Sequence, residues 1–277
     1  MLCGVDVAGC ALTEDYGATN VGEAVHCMRV FIVPLGRFDS DIGVLTPGDR
    51  SGRRLKVPVY AYLVECSAGL VLMDTGCSEA LAKTPTAILG DDVSGLTPEM
   101  GQEDHIVSQL ALIGYAPGDV DLVLNSHLHF DHAGSNNCFP AAEFWCQEAE
   151  WEAVESHPTH YPDPGWNPGP AARRRSLRGD TPVAAGVTLV STPGHTPGHQ
   201  SLLVEAEEGA MLFTSDAVYT REHFDPDHLG AAVDKERARQ SVLHLMKLAR
   251  GGARPFFSHD AAQVGLEGWR VAPAFYR

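Results

Sequence analysis

Residues 127–134 read HLHFDHAG and follow directly on the apolar run DLVLNS at 121–126. Donor side chains crowded this closely at the end of an apolar segment need a rigid frame and something to bind. In an extended chain, side chains alternate faces. His127, His129 and Asp131 therefore project to one side, about 7 Å apart at Cα. His132 breaks that parity and needs a bend, which the Ala-Gly-Ser that follows permits. Three imidazoles and a carboxylate within six residues suit a first-row divalent ion. A polar loop with an incidental histidine would account for one of these residues, not for the cluster.

The frame is legible around it. Short apolar runs recur between turn residues and predict strands at 28–34, 58–66, 69–74, 121–126, 143–147, 187–191, 200–206, 210–215 and 255–258. Two segments read as helices. Thr97-Pro98 offers a cap with proline at the first helical position, and Ile106, Val107, Leu110 and Ile113 follow at helical spacing up to Gly114. The second spans about Asp234 to Arg250, with a core stripe of Val242, Leu245, Met246 and Ala249, and Gly251-Gly252 after it. Residues 63–72 (LVECSAGLVL) and 203–212 (LVEAEEGAML) match at five positions with one offset of 140. Each copy reads as strand, Gly turn, strand, and leads to Asp74 or Asp216. The repeat suggests two related halves packed sheet against sheet, with helices outside. Residues 158–170 (PTHYPDPGWNPGP) hold five prolines and two glycines and form a loop, with Tyr161 and Trp166 as apolar contents. It reads either as an element of the active-site mouth or as a passive surface excursion.

Composition narrows the partners. Of 277 residues, 44% are hydrophobic and 20% charged, which is globular rather than disordered. No apolar stretch reaches the ~18 residues of a membrane span, and the N-terminus lacks a basic region of signal type. The net charge of −16 repels phosphate backbones and anionic lipids, so neither nucleic acid nor a membrane is an expected partner. The one basic run, Arg173-Arg174-Arg175, reads as a solvated loop face. Seven cysteines without a CxxC pair read as free thiols in a reducing compartment, which places the chain in the cytoplasm.

Three more donors stand just past apolar strands: His195 in STPGHTPGH, Asp216 after AMLFTS and His259 after PFFS. Strand ends of this kind are where α/β sheets place their chemistry. Five His and two Asp exceed what one catalytic zinc takes. They suit two ions about 3.5–4 Å apart, bridged by one carboxylate. His105 and His244 fall on predicted helices and read as surface or packing residues. His157, His160, His223 and His228 fall in loops, where lining the mouth is the alternative to a passive role.

In the order and spacing of these motifs the chain resembles the metallo-β-lactamase fold superfamily over about residues 28–277. Within it the chain is most similar to N-acyl-homoserine lactone lactonases. The shared segments are LTPG (45–48), VPVYAYLVE (57–65), MDTG (73–76), SHLHFDHAG (126–134), STPGHTPGHQSLLVE (191–205), SDAVYT (215–220) and SHD (258–260). The resemblance implies an α/β fold, an αββα sandwich of two mixed sheets, as a single catalytic domain at 28–277. Residues 1–27 are then an N-terminal extension of unknown role. It implies two divalent ions, zinc first, with iron, cobalt or manganese as the other ions such donors take. His127, His129 and His195 would hold one ion. Asp131, His132 and His259 would hold the other, with Asp216 bridging. Tyr219 would face the substrate carbonyl, and Asp74 would accept a hydrogen bond from a ligating imidazole. His199 would lie behind the ligands. A hydroxide bridging the ions would then open the lactone ring, with Asp131 carrying the proton to the leaving oxygen.

Other branches fit less well. His132 and Asp216 depart from the HxHxDR and cysteine of subclass B1 β-lactamases. His129 departs from the glutamate of flavodiiron proteins. Only 18 residues follow His259, too few for the helical domain of glyoxalase II enzymes. The acidic charge denies the basic surface that RNA-processing nucleases of this fold need. A lactonase for another ring, such as 4-pyridoxolactone, and an iron-dependent dioxygenase on the same scaffold stay open. The expected partner is a small-molecule lactone. The oligomeric state is not readable, and a homodimer is one option.

Overall fold

The structure is a computed structural model that describes residues 28–90 and 95–277. The expectation of an extension at 1–27 lies outside the described residues. In chain order the strands are β1 (Arg29–Asp41), β2 (Arg54–Cys66), β3 (Gly69–Met73), β4 (Leu96–Glu99), β5 (Leu122–Leu124), β6 (Glu143–Gln147), β7 (Arg173–Leu177), β8 (Thr181–Ala184), β9 (Val187–Ser191), β10 (Gln200–Ala206), β11 (Gly209–Phe213) and β12 (Arg254–Phe256). The helices that position the site are α1 (Ile42–Leu45), α2 (Glu79–Lys83), α3 (Pro85–Leu89), α4 (Ile106–Leu112), α5 (Phe130–Ala133), α6 (Glu148–Ser156) and α7 (Lys235–Arg250). One sheet has the order β4-β1-β2-β3-β5-β6-β7 and the other β12-β11-β10-β9-β8. Both mix parallel and antiparallel pairs.

Strand period explains the layering. Val30, Ile32, Tyr60, Tyr62, Val64, Val71 and Met73 turn to the second sheet and meet Leu189, Leu202, Val204, Phe213 and Phe256. The alternate residues Phe31, Val33, Val59, Ala61, Leu63 and Leu72 face outward and pack on Leu81, Ile106, Leu110, Trp151 and Val154 of the helices. On the far side Val242 and Leu245 of α7 cover Leu212 and Phe257. This is the expected αββα sandwich. Strands buried on both faces also explain why the apolar runs are continuous rather than alternating.

The internal repeat maps onto the central hairpin of each sheet. Leu63 pairs with Leu72 and Cys66 with Gly69; Leu203 pairs with Leu212 and Ala206 with Gly209. Both hairpins then enter a left-handed residue, Asp74 at φ 63° and Ser215 at φ 46°. Such backbone is strained for side-chain-bearing residues and tends to mark functional turns.

Several expectations are corrected. Thr97-Pro98 does not cap a helix: Leu96–Glu99 is β4, antiparallel to β1, and the helix begins at Ile106. Proline is tolerated there because β4 is an edge strand that need not donate from every position. The strand expected at 28–34 runs on to Asp41 through a register shift between Pro34 and Arg37, where Gly36 sits at φ 83°. Arg173-Arg174-Arg175 is exposed but lies on edge strand β7, not in a loop. The guanidinium groups of Arg174 and Arg175 lie over Trp151 and Trp145, and charge on an edge discourages further strand pairing. The second helix holds as expected, with Asp234 accepting from the Arg237 amide at its start. Among the described residues, no helix is long and apolar enough to cross a membrane.

Candidate metal centre

β3, β5, β9, β11 and β12 all end at one edge of the sandwich, and Asp74, His127, His195, Asp216 and His259 follow them there. The HxHxDH segment is not extended throughout. β5 stops at Leu124, and Phe130–Ala133 is one helical turn that opens at His129. This corrects the expectation that His127, His129 and Asp131 share one strand face. The bend comes at Phe130, before His132 rather than after it, and it turns Asp131 toward His259 while the His132 ring stays 4.3 Å from that of His127.

Two donor groups result. Nε2 of His127, Nδ1 of His129 and Nε2 of His195 lie 2.9, 3.2 and 3.0 Å from one another. Beside them Asp131 Oδ2 lies 3.6 Å from Nε2 of both His132 and His259. Asp216 stands between the groups. Its Oδ1 is 3.2 Å from His132 Nε2 and 3.1 Å from His259 Nε2, and its Oδ2 is 3.5 Å from His195 Nε2. All seven donors expected from the sequence are therefore brought together.

The outer nitrogens explain how the inner ones are aimed. Nδ1 of His132 faces Asp74 Oδ2 at 2.8 Å, Nδ1 of His259 the Pro58 carbonyl at 2.7 Å, and Nδ1 of His195 the Ala231 carbonyl at 3.0 Å. Nδ1 of His127 faces the Ser126 hydroxyl at 3.0 Å, and that hydroxyl donates to Asp74 Oδ2. Each acceptor assigns the proton to Nδ1 and leaves a lone pair on Nε2, directed inward. Asp74 is fully buried and also accepts from the Ser126 amide, so it supports two of the imidazoles at once.

This arrangement fits divalent cations. Three inward lone pairs about 3 Å apart repel one another unless a cation lies among them. Tetrahedral zinc with bonds of about 2.0–2.1 Å sets its nitrogens about 3.3 Å apart. His132 Nε2 is buried without an aligned hydrogen-bond partner. Burial, then the neighbouring imidazoles, pushes the pKa values of His127 and His129 well down, which favours the neutral, ligating form. At His132 burial acts in the same direction, but Asp216, Asp131 and Asp74 outweigh it and raise the pKa well above its ordinary value. Burial alone would raise the Asp216 pKa, yet His132 and His259 hold it well below the carboxylate range.

Tyr219 is buried, its ring stacked 5.6 Å from His259 and its hydroxyl 3.0 Å from His195 Nδ1. His195 Nδ1 must donate to the Ala231 carbonyl, which can only accept. The Tyr219 hydroxyl thus keeps its own proton free, and burial together with Asp216 and Asp131 holds it firmly as a phenol. It lines a cavity of ≈ 200 Å³ with Asp131, Asp216, His129, His195 and His259, closed by Phe38, Val44, Leu45, Val57, Leu96 and Phe130. His199 stays outside the donor groups. Its Nδ1 faces Thr192, and its ring packs 5.2 Å from that of His127.

The remaining expectations divide. Loop 158–170 does not line the cavity but packs behind the donors, with the Tyr161 ring 5.2 Å from His129 and the Trp166 carbonyl accepting from Asn136. His223 is buried between Thr46 and Thr220 rather than facing the donors, while His157, His160 and His228 are exposed. Ser126 and Ser258, which donates to Asp216 Oδ1, went unread in the sequence. Their signal was present: each directly precedes a ligand-type histidine.

The fold and this donor set define a class, and residues 54–251 match it: the chain belongs to the metallo-beta-lactamase superfamily. Within that class it is similar to an N-acyl homoserine lactonase of Bacillus sp, 38% identical over 251 residues, 89% of this chain and 98% of that one. N-acyl homoserine lactonase AiiA of Bacillus thuringiensis subsp. kurstaki is 36% identical over the same share of each chain. A solved N-acyl homoserine lactone hydrolase, with the product N-hexanoyl-L-homoserine at its catalytic metal centre, superimposes with a TM-score of 0.81. It is 35% identical, over 89% of this chain and 98% of that one.

Proposed function

We propose that the protein is a dinuclear metal-dependent hydrolase that opens the lactone ring of N-acyl homoserine lactones. The observation that carries this reading is Asp216, with one oxygen turned to each donor group beside a free phenol. His127, His129 and His195 would hold one ion and Asp131, His132 and His259 the other, with Asp216 placed to reach both. Zinc is the ion proposed, since imidazole and carboxylate donors suit it. When bound, such a pair supplies Lewis acidity and lowers the pKa of water to near neutrality, which provides the nucleophile.

The protein's own groups do the rest. Phe38, Val44, Leu45, Val57, Leu96 and Phe130 exclude water and accept the acyl chain. The Tyr219 hydroxyl donates to the carbonyl oxygen as negative charge develops on it. Asp131, at the cavity wall, carries a proton to the ring oxygen as it leaves. The likeness to lactonases over nearly nine-tenths of the chain supports this substrate class. The free thiols of Cys66, Cys77, Cys138 and Cys146 support a reducing compartment, the cytoplasm.

A pH-stat assay tests the reading, with short- and long-chain N-acyl homoserine lactones, 4-pyridoxolactone and a penicillin, and with oxygen uptake followed in parallel. Acid release from at least one acyl homoserine lactone without oxygen uptake is expected, and it should vanish in His129→Ala and Asp216→Asn. Acid release from 4-pyridoxolactone alone, or oxygen uptake, would overturn it.

A further inference from the structure

Glu150 is the third residue of α6 and is fully buried, yet among the described residues it forms no ion pair. Its carboxylate instead collects three donors. Oε1 accepts from the Leu128 amide at 3.1 Å and the Tyr161 hydroxyl at 3.0 Å, and Oε2 accepts from the Gly198 amide at 3.0 Å. Leu128 sits between His127 and His129. Gly198 lies in the turn between His195 and His199. Tyr161 presents its ring to His129 at 5.2 Å. The three donors therefore come from three separate segments, and each segment carries or contacts a member of the His127, His129 and His195 group. None comes from the segments that hold Asp216 or His259, and Leu128 lies on the His127 side of the Phe130 bend, ahead of Asp131 and His132.

The approach is tight by construction. A Cβ on Gly198 would lie 2.3 Å from the Glu150 backbone nitrogen, so only glycine lets this turn close on the start of α6. Burial raises the Glu150 pKa, while the Thr196 hydroxyl, then the two amides and the phenol, oppose it by favouring the ionised form. A pocket of backbone amides and hydroxyls that can all donate suits an ion that can only accept.

We propose that Glu150 is a positioning residue for the three-histidine half of the centre: it ties the loops of Leu128, Gly198 and Tyr161 together and thereby sets the ion affinity of that half alone. The inference rests on the two-ion reading of the site. Glu150→Gln keeps the shape of the side chain but places an amide donor against at least one of the three donors. The expected result is a loss of about 10–100-fold in affinity at one site, the usual cost of removing an outer partner of a ligand.

Metal-free wild type and variant would be titrated with Co(II) against a competing chelator, reading ion stoichiometry and the visible spectrum of each bound ion. Wild type should bind two ions, and failure to do so would overturn the two-ion reading itself. With two wild-type ions in place, Glu150→Gln should bind one as tightly as wild type and the other more weakly, with altered bands for the weaker ion. Equal loss at both sites, or no loss, would overturn the proposal for Glu150. Tyr161→Phe removes one donor and leaves both amides and the carboxylate. It covers the case in which Glu150→Gln does not fold, and it should weaken the same single ion by a smaller factor. Unchanged binding of both ions in Tyr161→Phe and in Gly198→Ala would likewise overturn it.

Discussion

Because Ala231 occupies the one proton that His195 Nδ1 can offer, Tyr219 enters the cavity with an uncommitted hydroxyl. Tyr219→Phe should therefore lower kcat by about 10²–10³-fold at most, the cost of one lost donor to a developing oxyanion, while bound ions stay at the wild-type count. Loss of ions in that variant would show that the phenol supports a ligand instead. A second residue speaks through pH. His223 is buried between Thr46 and Thr220, and burial, then His228, pushes its pKa down to about 4. Between pH 6.5 and about 4 an unfolded chain binds a proton there that the folded chain refuses, so stability falls as pH is lowered through that window. His223→Gln should flatten that decline in urea unfolding measured across the same range. An unchanged slope would mean that His223 takes its proton without unfolding.

The elements were legible wherever burial left an apolar run. β2, β3, β10 and β11 are buried hairpins, and the repeat marked their pairing down to Leu63 with Leu72 and Leu203 with Leu212. The seven donors were legible because each follows such a run. β7 and β8 were not, since edge strands of Arg, Ser, Thr and Pro carry no apolar signal. At Thr97-Pro98 a local cap signal lost to pairing with β1, a contact no local pattern announces. Glu150 was invisible for a related reason: one carboxylate on a short helix reads as solvated until Leu128, Tyr161 and Gly198 are brought to it. The prolines and glycines of 158–170 mark a loop, but its place behind α5 depends on a close approach between backbones. A Cβ on Gly165 would stand 1.9 Å from the Gly134 carbonyl oxygen. Gly165→Ala should thus cost about 1–3 kcal/mol as an overpacked contact, read as a lower Tm of the metal-loaded protein. An unchanged Tm would mean that the loop can lift from α5 without penalty.

For the molecule as a whole, the two sheets meet at the site through Asp216 and the five imidazoles, so bound ions should act as cross-links between halves. Ions that bind only the folded chain stabilise it, by about 2.7 kcal/mol at a hundredfold excess over Kd. Chelation should lower Tm, and adding back zinc should restore it; identical melting with and without ions would contradict a shared centre. The donors are also strung out along the chain from His127 to His259. During synthesis the four of the first segment leave the ribosome well before His195, Asp216 and His259 exist. Until the last of them arrives, a nascent chain offers a passing ion an unfinished cage, and capture becomes a late event of maturation rather than a seed for it.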